Sequence, residues 1–406
     1  MAHLKPKSEL TTILENCSIV DVEEGVVKED VKIVVKHGLI EDILEGSRRV
    51  EGVVLDLQGC FVLPGLMNAH NNLSIDFPFE KTNPNEDPAI TVLRCYRRAL
   101  DALRSGVTTL RTVGEMHRVD IALKKMISEG WVDGPRIVAG GKGLGSTGGH
   151  GAGFGQVEAD GPYEFLKAAR TELAYGADHL KIFISGGIAK PEEEFDEPQM
   201  TKEEMQAVTY AAKAKNTYVA AHAGGSNAII TAVAAGVSCF EHGYILNREA
   251  ARAIKSVNGY LVPTLSVTRS PEWMRANKFN EAIIEKALSA ADRHTESLKI
   301  AVSEGVTIVN GTDLPPGDLN GGVNATVREI EFLVEAGLSD LEALRAATLN
   351  AARLCRIADK VGVIKKGYYA DLIAMPKNPL HDVKALRSIV FVMKDGQVFR
   401  DELKRR

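Results

Sequence analysis

Cysteine is scarce in this chain of 406 residues, and its spacing follows no recognised pattern. The five cysteines lie far apart, form no CxxC pair and are odd in number. A disulfide framework or a cysteine-ligated zinc site is expected to show closely spaced or evenly paired cysteines, so the sequence indicates neither. The cysteines are Cys17, Cys60, Cys95, Cys239 and Cys355.

A strong charge of one sign and long apolar runs are also missing. The formal net charge is -5, which gives no electrostatic reason to expect nucleic acid or an anionic membrane as a partner. No apolar run approaches the roughly 20 residues that span a bilayer. Residues 1–7 are polar and carry no apolar signal core. We therefore expect a cytoplasmic protein that binds a small-molecule substrate.

Both ends of the chain are rich in short strand-like runs. Apolar or β-branched runs alternate with turn residues in the first sixty residues, and the last fifty repeat the pattern. We predict that residues 1–62 and 357–406 together form a small β-sandwich domain. The runs are 12–20, 31–35, 39–44, 53–57, 372–375 and 390–394.

Residues 63–356 alternate between strand-like and helix-like segments, with a capping-box pattern from Thr201 to Glu204. Eight strand candidates over roughly 250 residues fit a parallel (β/α)8 barrel. A doubly wound open sheet is the alternative, but no nucleotide-type glycine loop occupies the first strand–helix turn. The glycine-dense segment 143–151 lacks the lysine of a P-loop. The strand candidates are 61–70, 108–113, 136–140, 179–185, 217–222, 238–242, 259–265 and 306–313.

Residues 64–72 come close to a metal-binding motif. An apolar run leads to His70 and Asn72, which share one face of a strand because side chains alternate along it. Two histidines in such an H-x-H arrangement are a familiar metal clamp at the mouth of a barrel. Asn72 takes the second position, and its amide oxygen is a weaker ligand than imidazole for zinc-like ions.

Other strand candidates end in residues that can bind a metal. In a barrel these ends meet at one face, where active sites form. Taken singly, each residue would be an ordinary hydrogen-bonded or ion-paired side chain. Together with His70 they favour a shared metal site. The residues are Lys181, His222, His242 and Asp313.

Several segments are specific when taken together: 64–72, 176–181, 219–225, 240–243, 263–265, 311–313, 346–348 and 367–372. In these segments the chain resembles the amidohydrolase superfamily. The resemblance lies within the group of prolidase-like, imidazolonepropionase-related and Xaa-amino-acid carboxypeptidase proteins. It covers almost the whole chain and implies a (β/α)8 barrel with a β-sandwich made from both termini.

The resemblance implies a binuclear centre of divalent ions, with zinc as the expected metal and cobalt or manganese as alternatives. Lys181 would carry a CO2-derived carbamate that bridges the two ions. His222 and His242 would bind the more exposed ion, and His70 and Asp313 the deeper one.

Asn72 departs from the family pattern and leaves three alternatives open. It can bind the deeper ion through its amide oxygen, or that ion can be lost. In the third alternative the protein hydrolyses weakly and acts as a binder. Asparagine at this place also resembles some carbamate and phenylurea hydrolases.

The same resemblance implies roles for residues near the metals. Asp313 would act as general acid/base, taking a proton from a metal-activated water and passing it to the leaving nitrogen. His150 would help the metal to polarise the scissile carbonyl and stabilise the oxyanion. Apart from the resemblance, Tyr244 follows the His242 turn and Arg269 follows the seventh strand candidate, and we expect either to recognise a substrate carboxylate, Arg269 through a bidentate contact. A structural loop residue is the alternative for His150, as a solvated one is for Tyr244 and Arg269.

Other polar residues are expected to be structural. His179 shares a predicted strand face with Lys181, and we expect it to be buried and hydrogen-bonded. Arg94, Arg97 and Arg98 predict a solvated helix face. Five histidines in termini, turns or helices have no predicted role: His3, His37, His117, His294 and His381.

We predict a metal-dependent hydrolase that cleaves a C–N bond, foremost the amide of an N-acyl amino acid or a dipeptide-like small molecule. Within the enzyme class the alternatives are a carbamate or phenylurea hydrolase and a cyclic amidine deaminase. The alternative from another class is a non-catalytic metal or ligand binder. A carboxylate-binding arginine or tyrosine would favour peptides, and an apolar pocket would favour ureas. Because such barrels often pair through exposed apolar surface, we also expect a homo-oligomer.

Overall fold

A computed structural model describes residues 10–317 and 323–403 of the chain. Strands and helices are numbered in chain order. The strands are β1 (Thr12–Asp21), β2 (Val26–Lys36), β3 (Leu39–Glu45), β4 (Val53–Pro64), β5 (Leu66–Asn71), β6 (Val107–Thr112), β7 (Arg136–Val138), β8 (Leu144–Gly145), β9 (Val157–Glu158), β10 (Leu180–Phe183), β11 (Val219–Gly225), β12 (Cys239–Ile245), β13 (Tyr260–Val262), β14 (Thr307–Ile308), β15 (Leu372–Met375), β16 (Phe391–Lys394) and β17 (Gln397–Asp401).

The α-helices lie mainly between the barrel strands, and short 3-10 helices cover Phe79–Lys81, Met116–Arg118 and Val383–Ser388. Among residues 10–317 and 323–403, no helix is both long and apolar enough to cross a membrane. The α-helices are α1 (Pro88–Arg104), α2 (Val119–Ser128), α3 (Pro162–Tyr175), α4 (Lys202–Ala214), α5 (Ser226–Ala235), α6 (Arg248–Ser256), α7 (Ser266–Arg269), α8 (Pro271–Ala276), α9 (Glu281–Ser303), α10 (Ala325–Glu335), α11 (Asp340–Ala346) and α12 (Leu349–Leu354).

Parallel strands in the middle of the chain form the predicted barrel. Backbone pairing joins β5, β6 and β7 in one run, and β10 to β14 in chain order in another. Hydrogen bonds connect the runs on both sides, among them those from Asp178 N to the Ala139 carbonyl (2.7 Å) and from Ala69 N to the Asn310 carbonyl (2.9 Å). The strands therefore close on themselves and bring their carboxyl ends to one face. The prediction of a (β/α)8 barrel is confirmed.

A second sheet is built from both ends of the described chain, in the order β17-β16-β15-β4-β1-β2-β3. Only β1 and β4 pair in parallel, and the other neighbours are antiparallel. Its two halves share one apolar core, in which Leu14 and Ile33 belong to the same cluster as Leu372 and Phe391. The β domain made from both ends is therefore confirmed, and the limits at residues 62 and 357 stay predictions.

The chain passes from the β domain to the barrel at Gly65. The sequence predicts one strand over 61–70, but β4 ends at Pro64 and β5 begins at Leu66, so that prediction is wrong. Gly65 N donates to the Asp371 carbonyl at 2.8 Å. A Cβ at this position would lie 2.1 Å from Thr108 Oγ1. Glycine allows the close approach at which the chain changes sheet.

Helix α4 begins where the sequence predicts it. The Thr201 hydroxyl accepts from Glu204 N at 3.3 Å, and the Glu204 carboxylate accepts from Thr201 N at 2.7 Å. These reciprocal bonds satisfy two amides that the helix itself leaves without acceptors, and they confirm the capping box.

Candidate metal centre

The predicted ligands come together at the carboxyl ends of the barrel strands. His70 lies on β5, His222 on β11 and His242 on β12. The ring centroids of His222 and His242 are 4.5 Å apart, and those of His70 and His242 are 4.9 Å apart. All three side chains are buried. The strand ends thus form a compact histidine cluster at the mouth of the barrel.

Asp313, which follows β14, adds a carboxylate to this cluster. One of its oxygens lies 3.1 Å from His70 Nε2, and the other lies 3.9 Å from His242 Nδ1. Ligand atoms of the three residues all lie within 4.8 Å of one another. Imidazole nitrogens with a carboxylate oxygen suit zinc-like divalent ions. His70, His242 and Asp313 can therefore bind one metal ion.

The backbone at three neighbouring strand ends has a left-handed conformation. The φ angles are 70° at His242, 54° at Thr264 and 55° at Asp313. Side chains other than glycine seldom adopt this region, least of all β-branched ones such as threonine. Such conformations persist where the surrounding structure fixes them, and they cluster at functional sites. Their position supports a functional role for this face of the barrel.

Two buried charged residues without a predicted role hold His70. Glu241 accepts from His70 Nδ1 with one oxygen and from Arg111 with the other, both at 2.7 Å. Burial opposes ionisation of Glu241, but Arg111 and His70 outweigh it and hold its pKa well below the usual range. The pair leaves His70 Nε2 free to face Asp313, as in other oriented metal-binding histidines. Charged residues inside apolar strand-like runs are the sequence signal for such a pair.

Burial disfavours the protonated form of His222 and of His242. Burial and the neighbouring imidazoles hold the pKa of each well below its usual value. His242 Nδ1 is hydrogen-bonded to Thr264 Oγ1 at 2.8 Å, and His222 Nε2 donates to the Gly186 carbonyl at 3.2 Å. A neutral imidazole is the form that binds metals, so the ionisation state suits the predicted role.

Lys181 on β10 is buried, and its nitrogen has no hydrogen-bond partner among the described residues. Burial lowers the pKa of Lys181 to about 8. A buried ammonium group without an acceptor is costly. A carbamate on this nitrogen would instead offer oxygen ligands beside the histidines. The orphaned amine therefore fits the modified lysine that the family resemblance implies.

Asn72 contacts Asp313 directly. Its side-chain nitrogen donates to the Asp313 oxygen that also faces His70, at 2.6 Å. Asn72 is buried, and the carboxylate that it contacts is partly exposed. The amide orients the carboxylate of Asp313. Metal binding by Asn72 itself stays a prediction.

His150 lies beside this cluster and is held by a carboxylate. Its ring stacks on His222 with centroids 4.3 Å apart. Its Nδ1 donates to Glu193 at 2.5 Å, and Glu193 also accepts from Gly187 N at 3.0 Å. Burial opposes ionisation of Glu193, but the bond from His150 outweighs it and lowers the pKa. With Nδ1 engaged, Nε2 is the ring nitrogen of His150 that remains for a substrate.

The segment that carries Glu193 is fixed over these histidines. Lys286 on α9 donates to the carbonyls of Gly187, Lys190 and Glu193. A Cβ at Gly187 would lie 2.5 Å from the His150 ring. Only glycine allows the segment to approach the ring so closely. Lys286 and Gly187 together keep Glu193 within reach of His150.

An apolar cavity lies beside the metal centre, and we call it the aromatic cavity. Asp313 and His150 line its inner end. The ring centroid of Phe77 lies 5.3 Å from that of Trp273 and 5.2 Å from that of Phe279. Its principal apolar residues are Phe77, Phe79, Tyr244, Trp273, Met274 and Phe279.

Of the two residues predicted to bind a substrate carboxylate, Tyr244 lines the aromatic cavity. It stacks on His242 with centroids 5.1 Å apart, and burial raises its pKa well above the usual range. Arg269 hydrogen-bonds to Thr295, lies 3.9 Å from Glu335 and is not among the described residues that line the cavity. Its substrate-binding role stays a prediction.

His294 has no predicted role, yet it is fully buried on α9 behind the metal centre. Its Nε2 donates to the His242 carbonyl at 3.2 Å, and its Nδ1 is hydrogen-bonded to Thr268 Oγ1 at 3.0 Å. Burial lowers the pKa of His294 to about 4. The residue belongs to the buried stripe of α9 that includes Ile283, Ala287 and Ala290. Helical spacing from these apolar residues is the signal that predicts its burial.

His179 is buried as expected, but the expected hydrogen bond is wrong. Neither ring nitrogen has a partner among the described residues. The ring stacks on Tyr218 with centroids 5.1 Å apart and planes 4° from parallel. Burial holds its pKa well below the usual value. His179 therefore packs as a neutral aromatic ring.

The solvated face expected for the arginines of α1 is wrong for Arg94 and Arg98. Arg94 lies 2.7 Å from Glu86, and both arginines contact Asp76, at 3.2 and 2.6 Å. Arg98 also donates to the Leu73 carbonyl at 2.6 Å. These bonds hold α1 against the segment that follows β5, which carries both Leu73 and Asp76.

The chain is similar to known proteins both in sequence and in structure. Residues 61–399 match the model of the Amidohydrolase family. Ochratoxinase of Aspergillus niger is 29% identical over 375 residues, which are 84% of this chain and 75% of that protein. The crystal structure of a Xaa-Pro dipeptidase with bound methionine is 31% identical, with a TM-score of 0.88 over 96% of this chain and 100% of that chain. A prolidase complexed with N-methylphosphonate-L-proline is 28% identical, with a TM-score of 0.89 over 96% and 100%.

Proposed function

This chain belongs to the amidohydrolase family and is a hydrolase acting on C–N bonds, and from that premise we propose a metal-dependent hydrolase of aromatic N-acyl amino acids or dipeptide-like amides. The observation that carries the proposal is the contact between the metal centre and the aromatic cavity, which share Asp313, while His150 beside the metal centre also lines the cavity. Similarity to a Xaa-Pro dipeptidase supports a dipeptide-like substrate. The aromatic lining supports a large apolar group on that substrate.

The residues at the barrel mouth fit divalent metal ions. His70, His242 and Asp313 offer ligand atoms within 4.8 Å of one another, and Lys181 and His222 lie beside them. In the proposal Lys181 carries a carbamate and zinc is the metal. A bound zinc ion would supply Lewis acidity and lower the pKa of a water molecule, so that a nucleophile is available near neutral pH.

Asp313 is placed to move protons in this proposal. It is partly exposed, faces both the metal centre and the aromatic cavity, and is oriented by the hydrogen bond from Asn72 to one of its oxygens. Its carboxylate accepts a proton from water on the metal side. It then gives that proton to the leaving nitrogen of the substrate on the cavity side.

His150 is placed to bind the scissile carbonyl. Because Glu193 engages Nδ1, the ring keeps one orientation and Nε2 faces away from that carboxylate. When the ring carries a proton on both nitrogens, Nδ1 donates to Glu193 and Nε2 donates to the carbonyl oxygen, a bond that strengthens as negative charge develops there. The stacked ring of His222 and the segment over it exclude water from this side.

Carbamates or phenylureas are a second candidate substrate class. The described lining of the aromatic cavity contains no arginine or lysine to bind a carboxylate. Asn72, in place of the family's second histidine, points in the same direction. The cyclic amidine deaminase is less well supported, since the apolar lining offers few partners for a polar ring.

The test is a substrate panel with the zinc-loaded protein. We expect N-benzoyl and N-naphthoyl amino acids to be hydrolysed about a hundredfold more efficiently than N-acetyl analogues, because their rings fill the cavity. Asp313→Asn is the control that should lose turnover of every substrate. If phenylureas are hydrolysed faster than the N-acyl amino acids, carbamates and phenylureas become the favoured substrate class. A metal-loaded protein that hydrolyses no amide, carbamate or urea would be a binder.

The homo-oligomer and the cytoplasmic location stay predictions from the sequence.

A further inference from the structure

The aromatic cavity is formed by two chain segments that leave neighbouring regions of the barrel. The first wall, residues 73–79, follows β5, and the second wall, residues 265–274, follows β13 and includes α7 and most of α8. Phe77 of the first wall contacts Trp273 of the second, with ring centroids 5.3 Å apart. The width of the cavity therefore depends on where each wall begins.

The first wall begins at Leu73 and Ser74, which bind a buried carboxylate. Their amides donate to the two oxygens of Glu115 at 2.7 and 2.8 Å, and the Ser74 hydroxyl donates to the same carboxylate. Arg98, which lies on α1, donates to the Leu73 carbonyl at 2.6 Å. Glu115 is completely buried. The start of the first wall is thus bound on both its amide and carbonyl sides.

The second wall begins with the same dipeptide, Leu265 and Ser266. Both amides donate to the two oxygens of Glu329 at 2.7 Å, and the Ser266 hydroxyl donates at 2.6 Å. Glu329 lies on α10 and is also completely buried. Two separate places in the barrel thus repeat one three-bond arrangement, although different elements supply the carboxylate.

We propose that Glu115 and Glu329 are positioning residues that set substrate specificity by fixing the starts of the two cavity walls. The proposal rests on the proposed function, in which the aromatic cavity binds the apolar part of the substrate. Neither residue is among the described residues that line the cavity. Each acts through the wall that it binds.

A carboxylate is the side chain that this role requires. When ionised, its two oxygens accept from two consecutive amides and from a hydroxyl. Glutamine offers one oxygen and one amide nitrogen, so a buried backbone amide would face another donor. Leaving such a donor without an acceptor is unfavourable, and the wall has to shift to regain one. Trp273 would shift with the second wall.

The first experiment is the kinetics of zinc-loaded Glu329→Gln on one aromatic and one small N-acyl amino acid at about pH 9, where Glu329 and Glu115 are mainly ionised. We expect KM for the N-naphthoyl substrate to rise about tenfold, because the wall that contacts the ring has moved. KM for the N-acetyl analogue and kcat for both should stay within about threefold. Glu115→Gln should behave in the same way through the first wall.

Glu331→Gln is the matched control on the same helix. Glu331 is also buried, but it pairs with Arg328 and Arg387 at 2.6 and 2.5 Å and makes no described bond to the second wall. The ratio of the two KM values should stay at the wild-type value in this variant. The proposal is overturned if Glu329→Gln raises both KM values equally or leaves their ratio unchanged.

A second readout does not depend on turnover. Trp131→Phe leaves Trp273 as the single tryptophan of the chain. In that background Glu329→Gln should about double the quenching of Trp273 by acrylamide and weaken binding of an apolar naphthalene probe, while Glu331→Gln should do neither. If this holds while no C–N substrate is cleaved, the positioning role stands and the proposed function fails. Unchanged quenching and probe binding in Glu329→Gln would overturn the positioning role.

Discussion

The metal centre and the aromatic cavity meet at Asp313 and His150, but they are built differently. The residues of the metal centre lie on barrel strands or directly after them, where the closed hydrogen-bonded sheet fixes each position. Most apolar residues of the cavity lie in segments beyond the strand ends and in the short helix α8. This division assigns bond cleavage to the rigid strands and choice of substrate to segments that can vary without disturbing them.

The comparison is tested most severely by Lys181→Ala. This change removes the buried amine from the metal centre and leaves the cavity intact. We expect loss of bound metal and a fall in activity of at least about a thousandfold, with partial rescue by short-chain carboxylic acids that replace the carbamate. Elemental analysis and an amide hydrolysis assay measure both effects, with the exposed Lys202→Ala as control. Full metal content and turnover in Lys181→Ala would exclude the bridging role.

Trp273→Ala addresses the other side of the comparison. Its ring contacts Phe77 and Phe279 in the cavity. Removing it should cost about 2 kcal/mol of binding to an aromatic acyl group, or about a thirtyfold rise in KM. Metal content and kcat for an acetyl substrate should not change. The control is Trp131→Ala, whose side chain is exposed far more. A loss of metal in Trp273→Ala would contradict the separation of the two parts.

Asn72→His sharpens the comparison within the metal centre. Asn72 donates to Asp313, and an imidazole in its place would hold its N–H at a different position relative to the carboxylate. We expect unchanged metal content and about a tenfold fall in kcat, since the carboxylate loses a fixed hydrogen bond. Metal analysis and kcat with the same amide check this. A large gain in activity, or a second ion bound only by the variant, would mean that Asn72 weakens the metal centre.

The smallest expected effect is a pH dependence of stability. Burial raises the pKa of Glu329 to about 7, whereas the unfolded chain titrates this group near 4.5. The folded protein therefore holds the proton more tightly, and the resulting stabilisation is present below pH 4.5 and lost as pH rises through 7. The free energy of unfolding of wild type minus that of Glu329→Gln should fall from pH 5 to pH 8. Denaturant titrations at fixed metal content measure it, and a constant difference would contradict the shifted pKa.

The same contrast explains what the sequence can and cannot predict. His70, His222 and His242 come near the ends of short, largely apolar runs, and the barrel rule brings those strand ends to one face. Glu241 and Arg111 were missed because a charged residue inside such a run identifies burial but not its partner, 130 residues away. Neither the spacing nor the composition of their segments brings Phe77 and Trp273 together. Only the tertiary course of the two walls does so.

The sheet order of the β domain has a consequence for synthesis of the chain. Strand β4 pairs with β1 on one edge and with β15 on the other, and β15 begins at Leu372, some three hundred residues later in translation. The edge formed by residues 61–64 has no β15 to pair with until the whole barrel has left the ribosome. Exposed strand edges recruit other chains. A ribosome that stalls within the barrel would therefore release a chain with an open, apolar edge that is prone to aggregate.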